Sequence, residues 1–163
     1  ESVRERAKEY LEELYGASCY GGPTLAFTYT DYYTEEMGPE LMRDFLVFEE
    51  LVDPGRLAEI KTAANGIEER LAEGRRRRVN LDPGLLSLSR IILATTKASA
   101  HRVPLRDGLY AEITLVYRHG RYSPLEWTYP DYQSDRFVGW LSRVRARYHE
   151  QLREIDPDRA WRL

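Results

Sequence analysis

Leu109-Tyr110-Ala111-Glu112-Ile113-Thr114-Leu115-Val116-Tyr117-Arg118, then His119-Gly120, then Arg121-Tyr122-Ser123-Pro124-Leu125-Glu126-Trp127, reads as a long strand, a tight turn and a return strand. Side chains alternate across a strand, so Ala111, Ile113, Leu115 and Tyr117 take one face. Tyr110, Glu112, Thr114 and Val116 take the other, which places the acid Glu112 in mid-strand on a face that looks into a cavity. Upstream, 101–105 reads as a short strand closed by the Arg106-Asp107-Gly108 turn. The second half of the chain is therefore a set of antiparallel hairpins.

Outward toward the C-terminus, Trp127-Thr128-Tyr129-Pro130-Asp131-Tyr132 forms a rigid aromatic turn. Ser134 caps a last helix whose apolar stripe is Phe137, Trp140, Leu141, Val144, Tyr148 and Leu152. Its arginines, Arg136, Arg143, Arg145 and Arg147, are expected mostly to face water, and 156–163 reads as a fraying tail. In the other direction, 85–96 is ambiguous. Asp82-Pro83-Gly84 repeats Asp53-Pro54-Gly55 and would cap a helix with Leu85, Leu88 and Ile92 inward, whereas Ile91, Ile92, Thr95 and Thr96 are β-branched and favour a strand. Val79 to Asp82 reads as a strand with Asn80 and Asp82 on its polar side. Before it, Asp53-Pro54 starts a helix carrying Leu57, Ile60, Ala64, Ile67 and Leu71 on one stripe. Gly66 weakens that helix by about 1 kcal/mol and Gly74 ends it. The run Arg75 to Arg78 complements its negative end and doubles as a phosphate-binding candidate.

The first third is less regular. Phe45-Leu46-Val47-Phe48 is an unbroken β-prone run, expected as a central strand covered on both faces. Leu25 to Thr30 alternates as a strand, and Gly38-Pro39 is a turn. Residues 1–15 read as a helix with Val3, Ala7, Tyr10, Leu11 and Leu14 inward, and with no N-cap. A helix starting so abruptly suggests that a strand precedes it. With that missing strand supplied, the first half becomes the ferredoxin-like split β-α-β arrangement. The expected class is α+β, a single domain over 1–163, extended by antiparallel hairpins and closed by the C-terminal helix.

Composition narrows the function classes. With 42% hydrophobic and 31% charged residues the chain is neither disordered nor membrane-embedded, and no apolar run reaches a spanning length. A net charge of −3 makes nucleic acid an unfavoured partner, leaving RNA binding through Arg75 to Arg78 as a third reading behind the two below. The lone Cys19 excludes an internal disulfide and fits a reducing cytoplasm. Three histidines without paired spacing give no metal expectation. No Gly-x-Ser-x-Gly elbow supports a nucleophilic triad, and no cofactor is indicated.

The densest mixture of chemically useful side chains lies between Arg77 and Glu112. Arg77, Lys97, His101 and Arg102 are candidate holders of a phosphate or carboxylate, with Asp82 and Glu112 to orient them. Tyr32 or Tyr129 is a candidate ring-stacking platform, and Asp131 a candidate carboxylate partner for Glu112. Lysine occurs only at Lys8, Lys61 and Lys97, which singles out Lys97. The expected function is a small-molecule binding protein or enzyme for an anionic, nucleotide-like ligand. The alternative is a non-catalytic scaffold that self-associates through the aromatic 20–33 segment or the last helix.

Several stretches in order carry a family resemblance: Phe27-Thr28-Tyr29-Thr30-Asp31-Tyr32-Tyr33 with Glu36-Met37-Gly38, Phe48-Glu49-Glu50-Leu51-Val52-Asp53-Pro54, Arg77-Arg78-Val79-Asn80-Leu81-Asp82-Pro83-Gly84, Ala94-Thr95-Thr96-Lys97, Ala100-His101-Arg102 and Trp127-Thr128-Tyr129-Pro130-Asp131-Tyr132. The chain resembles the prokaryotic domain-of-unknown-function family numbered 4416. Members usually open with a short hydrophobic strand absent here, and Gly21-Gly22-Pro23-Thr24 is shorter than their usual run. The resemblance implies a bacterial or archaeal cytoplasmic protein and no activity. Some such proteins carry a GTP-binding label, but this chain has no GxxxxGK[ST] loop.

Overall fold

The computed structural model of the chain describes residues 2–29, 34–38 and 41–158. In order, the elements are α1 (Val3–Tyr15), β1 (Ser18–Cys19), β2 (Leu25–Ala26), α2 (Thr34–Met37), β3 (Met42–Arg43), β4 (Val47–Phe48), α3 (Leu57–Leu71), β5 (Gly84–Leu86), β6 (Arg90–Thr95), β7 (Val103–Pro104), β8 (Tyr110–Arg118), β9 (Arg121–Pro124) and α4 (Asp135–Ile155). Short 3-10 turns, Pro54–Arg56 and Pro130–Gln133, precede α3 and α4. The mixture of helices with antiparallel sheets makes the fold α+β, with a long helix near its C-terminus.

The hairpin over 109–127 forms around β8, which pairs with β6 on one side and with β7 and β9 on the other. His119 and Gly120 both have positive φ, the geometry of a two-residue turn whose twist matches the strands, and Gly120 adopts it without strain. The ambiguous segment 85–96 is strand. β5 and β6 form a hairpin, because Ile91, Ile92 and Leu93 gain more by pairing and packing on a sheet than a capped helix would give.

One irregularity decides what β8 presents. Ile92 pairs with Ile113 and Ile91 with Leu115, so Thr114 is an extra residue in β8. A bulge of this kind breaks the alternation of faces. Leu93 pairs with Glu112, and Ile91 and Leu93 lie two apart on β6, so Glu112 and Leu115 share one face. Strict alternation puts them on opposite faces.

The same face carries the main core. Ile91, Leu115 and Tyr122 pack against Phe137, Trp140, Leu141 and Val144 of α4. Phe137 is 2% exposed, and burying such a ring contributes about 1.5–3 kcal/mol. The stripe of α4 is thus interior. Arg145 is also buried rather than solvated. It lies 3.6 Å from the Tyr117 ring centroid and donates to Leu88 O, because the register of the helix turns it onto the sheet. A second cluster joins α1 to α3 through Ala7, Ile67 and Leu71.

The first half departs from expectation in four places. α1 is capped after all: Ser2 Oγ accepts from Glu5 N, and Glu5 carboxylate accepts from Ser2 N, a capping box. Val47 and Phe48 pair only with Cys19 and Ser18 in a two-stranded ribbon, so Phe45 to Phe48 is not a central strand. Its apolar side chains are absorbed by helix packing, with the Phe45 ring centroid 4.3 Å from that of Phe137. Residues 77–82 are irregular chain rather than strand, held by side chains instead of a ladder. All pairings are antiparallel and β1 to β4 form separate ribbons, so the ferredoxin-like half is not seen among the described residues.

Candidate functional site

A cleft of about 330 Å³ opens between α3, the irregular 77–82 segment and the β6–β8 face, with Arg43, Tyr129 and Tyr132 completing its wall. Of the residues singled out by sequence, Arg77, Asp82, Lys97, Arg102, Glu112 and Tyr129 line it. His101 reaches it through Glu112, and Asp131 through Arg43. Tyr32 lies outside the described residues. Asp131 does not pair with Glu112; its partner is Arg43.

The β-side of the cleft is built by two hairpins. The bulge at Thr114 turns Glu112 inward, where it is 5% exposed. Its Oε2 accepts from Arg102 Nε at 2.7 Å and is hydrogen-bonded to His101 Nε2 at 2.9 Å. His101 Nδ1 is hydrogen-bonded to Ser99 Oγ at 2.9 Å, and its ring stacks on Trp127 with centroids 4.5 Å apart. Arg102 Nη1 also donates to Lys97 O, which closes the 97–102 loop. Lys97 is exposed at the edge of the cleft, and Lys97 N donates to Thr95 Oγ1.

The helical side comes from α3. Lys61 and Glu68 fall at the 4, 3, 4, 3 spacing of Leu57, Lys61, Ala64, Glu68 and Leu71, all buried. These two charges therefore sit where an apolar stripe would. Glu68 Oε1 accepts from Leu81 N at 2.6 Å, and Lys61 Nζ donates to Leu81 O at 2.6 Å. This grip replaces the missing strand ladder and points Asn80 and Asp82 at the cleft. Burial pushes the Glu68 carboxyl above its ordinary value, opposed by the Leu81 amide, Lys61 and Arg77.

Two further ion pairs frame the site. Arg77 donates through Nε and Nη2 to the two carboxylate oxygens of Glu36, at 3.0 and 2.8 Å. The side-chain and backbone hydrogen bonds of Arg77 lower the Glu36 carboxyl to about 2. Arg43 donates to the fully buried Asp131, while its guanidinium lies over the Phe27 ring at 4.4 Å. Burial raises the Asp131 carboxyl, and Arg43 opposes that rise. Asp82 is looser, 3.8 Å from Arg43 Nη2 and 3.9 Å from Lys61 Nζ.

Within the arginine run, Arg77 lines the cleft and is held by Glu36, and Arg78 pairs with Glu73. Asp82 does not cap a helix, because none follows it. Sequence reasoning missed Arg43, Lys61, Glu68 and the two asparagines Asn65 and Asn80 that line the cleft. For Lys61 and Glu68 a signal existed in their stripe spacing; for Arg43 none did. Among the described residues no group of three His, Cys, Asp or Glu is placed to hold a metal ion, and no helix is long and apolar enough to cross a membrane.

Comparison with known proteins gives one match. No curated protein matches the chain and no solved structure does. The family model described as Domain of unknown function (DUF4416) matches residues 1–148, nearly the whole chain and every element that lines the cleft. The chain belongs to that family.

Proposed function

We propose that this protein binds a small anionic metabolite, one bearing a phosphate or carboxylate, in the cleft between α3 and the β6–β8 face. The observation that supports this reading is the convergence of five cationic and four acidic side chains on one concavity. They come from β3, α3, the 77–82 segment, the 97–102 loop and β8, which are distant in sequence. Buried ion pairs contribute little net stability compared with apolar packing, so such a constellation is poorly explained by folding alone. The volume of about 330 Å³ falls in the range of roughly 300–1,000 Å³ of small-ligand pockets. Lys97, at the exposed edge beside Arg102, is the group that meets the anion, and Tyr129 offers a ring face.

A thermal-shift screen of nucleotides, phosphorylated metabolites and carboxylates, followed by calorimetry, tests this function. At least one class is expected to raise the melting temperature in proportion to its binding, and Lys97→Ala combined with Arg102→Ala to abolish the rise. A screen with no shift in any class removes the reading.

A further inference from the structure

We infer that the ligand is a polyhydroxylated anion, a sugar phosphate or sugar acid, whose hydroxyls donate to Asp82 and Glu112 while its anionic group meets Lys97 and Arg102. The inference rests on the small-ligand reading above and names the ligand class.

It starts from which polar atoms of the cleft are already engaged. Most cations are. Lys61 is held by Leu81 O, Arg43 by Asp131, and Arg102 by Glu112 and Lys97 O. Several acceptors are not. Asp82 accepts no hydrogen bond among the described residues, and its two flanking cations stand at 3.8 and 3.9 Å, beyond hydrogen-bond reach. Glu112 engages both His101 and Arg102 through Oε2, and among the described residues Oε1 has no donor. Asn65 makes no side-chain hydrogen bond among the described residues, and Asn80 uses only its oxygen, which accepts from Arg77. The open capacity of the cleft is thus mainly for accepting, with amide groups to supplement it.

Donors on the ligand are therefore required, either charged or neutral. An ammonium would approach Asp82 against Arg43 and Lys61, and Glu112 against Arg102, at short range and with like-charge repulsion. A hydroxyl donates without that cost. Several hydroxyls on one small skeleton also match acceptors from separate walls of one cleft. Tyr129, 46% exposed, presents an apolar ring face against which the C–H side of a sugar can lie. The small volume suits a monosaccharide derivative rather than a dinucleotide.

Calorimetry on the intact chain separates the possibilities. The probes are glucose 6-phosphate, ribose 5-phosphate and glucuronate, with ethyl phosphate, propionate and glucose as controls. At least one hydroxylated anion is expected to bind about tenfold or more tightly than the hydroxyl-free anion with the same charged group, since one hydrogen bond to a charged acceptor is worth that factor. The phosphates and glucuronate distinguish the two sources of the anion. Asp82→Asn, at a partly exposed position, is expected to remove most of that advantage while leaving ethyl phosphate binding within about twofold. Lys97→Ala is expected to weaken sugar phosphate and ethyl phosphate alike. Ethyl phosphate or propionate binding as tightly as its hydroxylated counterpart overturns the inference and leaves the anion-binding function standing. Binding by none of the six compounds overturns this inference; the anion-binding function then stands or falls on the wider screen.

Discussion

Lys61 and Glu68, seven residues apart on α3, hold both backbone polar groups of one residue: Lys61 Nζ donates to Leu81 O and Glu68 Oε1 accepts from Leu81 N, each at 2.6 Å. The two charges are themselves 3.8 Å apart and buried. Neither is a surface ornament of the helix. Together they stand in for a β-ladder and fix the chain that carries Asn80 and Asp82.

Removing one of them leaves the other charge buried with a partner lost. Lys61→Ala is expected to cost about 3–5 kcal/mol. Lys61→Met with Glu68→Leu is expected to cost less than the sum of the two single changes, because no isolated charge remains. Urea unfolding of the three variants measures this. Strict additivity would mean that the two residues act independently.

Arg43 and Asp131 make a pH-dependent pair. Burial raises the folded-state Asp131 carboxyl above its ordinary 3.8, with Arg43 opposing. A carboxyl raised on folding contributes stability below its unfolded value, and that contribution is lost as pH rises through the folded value. Arg43→Met removes the opposing charge and widens that window upward. The variant is expected to lose about 3–5 kcal/mol at pH 7 and distinctly less near pH 4. Melting temperatures of both proteins across that range test it, and an equal loss at both ends would exclude the Asp131 charge as the cause.

Glu36 titrates with the opposite sign. Its carboxyl is lowered from 4.5 to about 2 by Arg77, so the pair stabilises the fold above pH 4.5 and the contribution disappears as pH falls toward 2. Glu36→Gln is expected to lose about 1 kcal/mol at neutral pH and progressively less as pH falls through 2, the carboxylate being partly solvated. Acid unfolding curves of the two proteins should converge at the low end.

Gly84 is required by closeness rather than by backbone angle. A Cβ there would stand 2.6 Å from Ile92 O and 2.6 Å from Leu93 Cδ2. Gly84→Ala is therefore expected to destabilise by about 1–3 kcal/mol and to loosen the β5–β6 hairpin, seen as faster amide exchange at Ser87 and Ala94, whose amides donate across it.

Much of the local structure was readable from residue order. The β8–β9 hairpin announces itself through alternation and His119-Gly120, α3 through Asp53-Pro54 and its stripe, and α4 through Ser134 and its own stripe. Each of these signals acts within a few residues. Six of the nine candidate site residues also line the cleft, five of them because charged and polar side chains were crowded into Arg77 to Glu112.

What the chain order by itself determined was the α+β class, the main helices and the β8–β9 hairpin, since periodicity and turn chemistry are local. Tertiary structure alone decided three things. It chose strand over helix for 85–96, because pairing with β8 outweighs a cap at Asp82. It placed the bulge at Thr114, which moves Glu112 onto the face of Leu115 and so into the cleft. It brought Arg43, Lys61 and Glu68 to the same site and paired Arg43 and Arg102 with the buried carboxylates of Asp131 and Glu112. Those outcomes depend on which distant groups can satisfy one another away from water, and that balance is set only when the whole chain is packed.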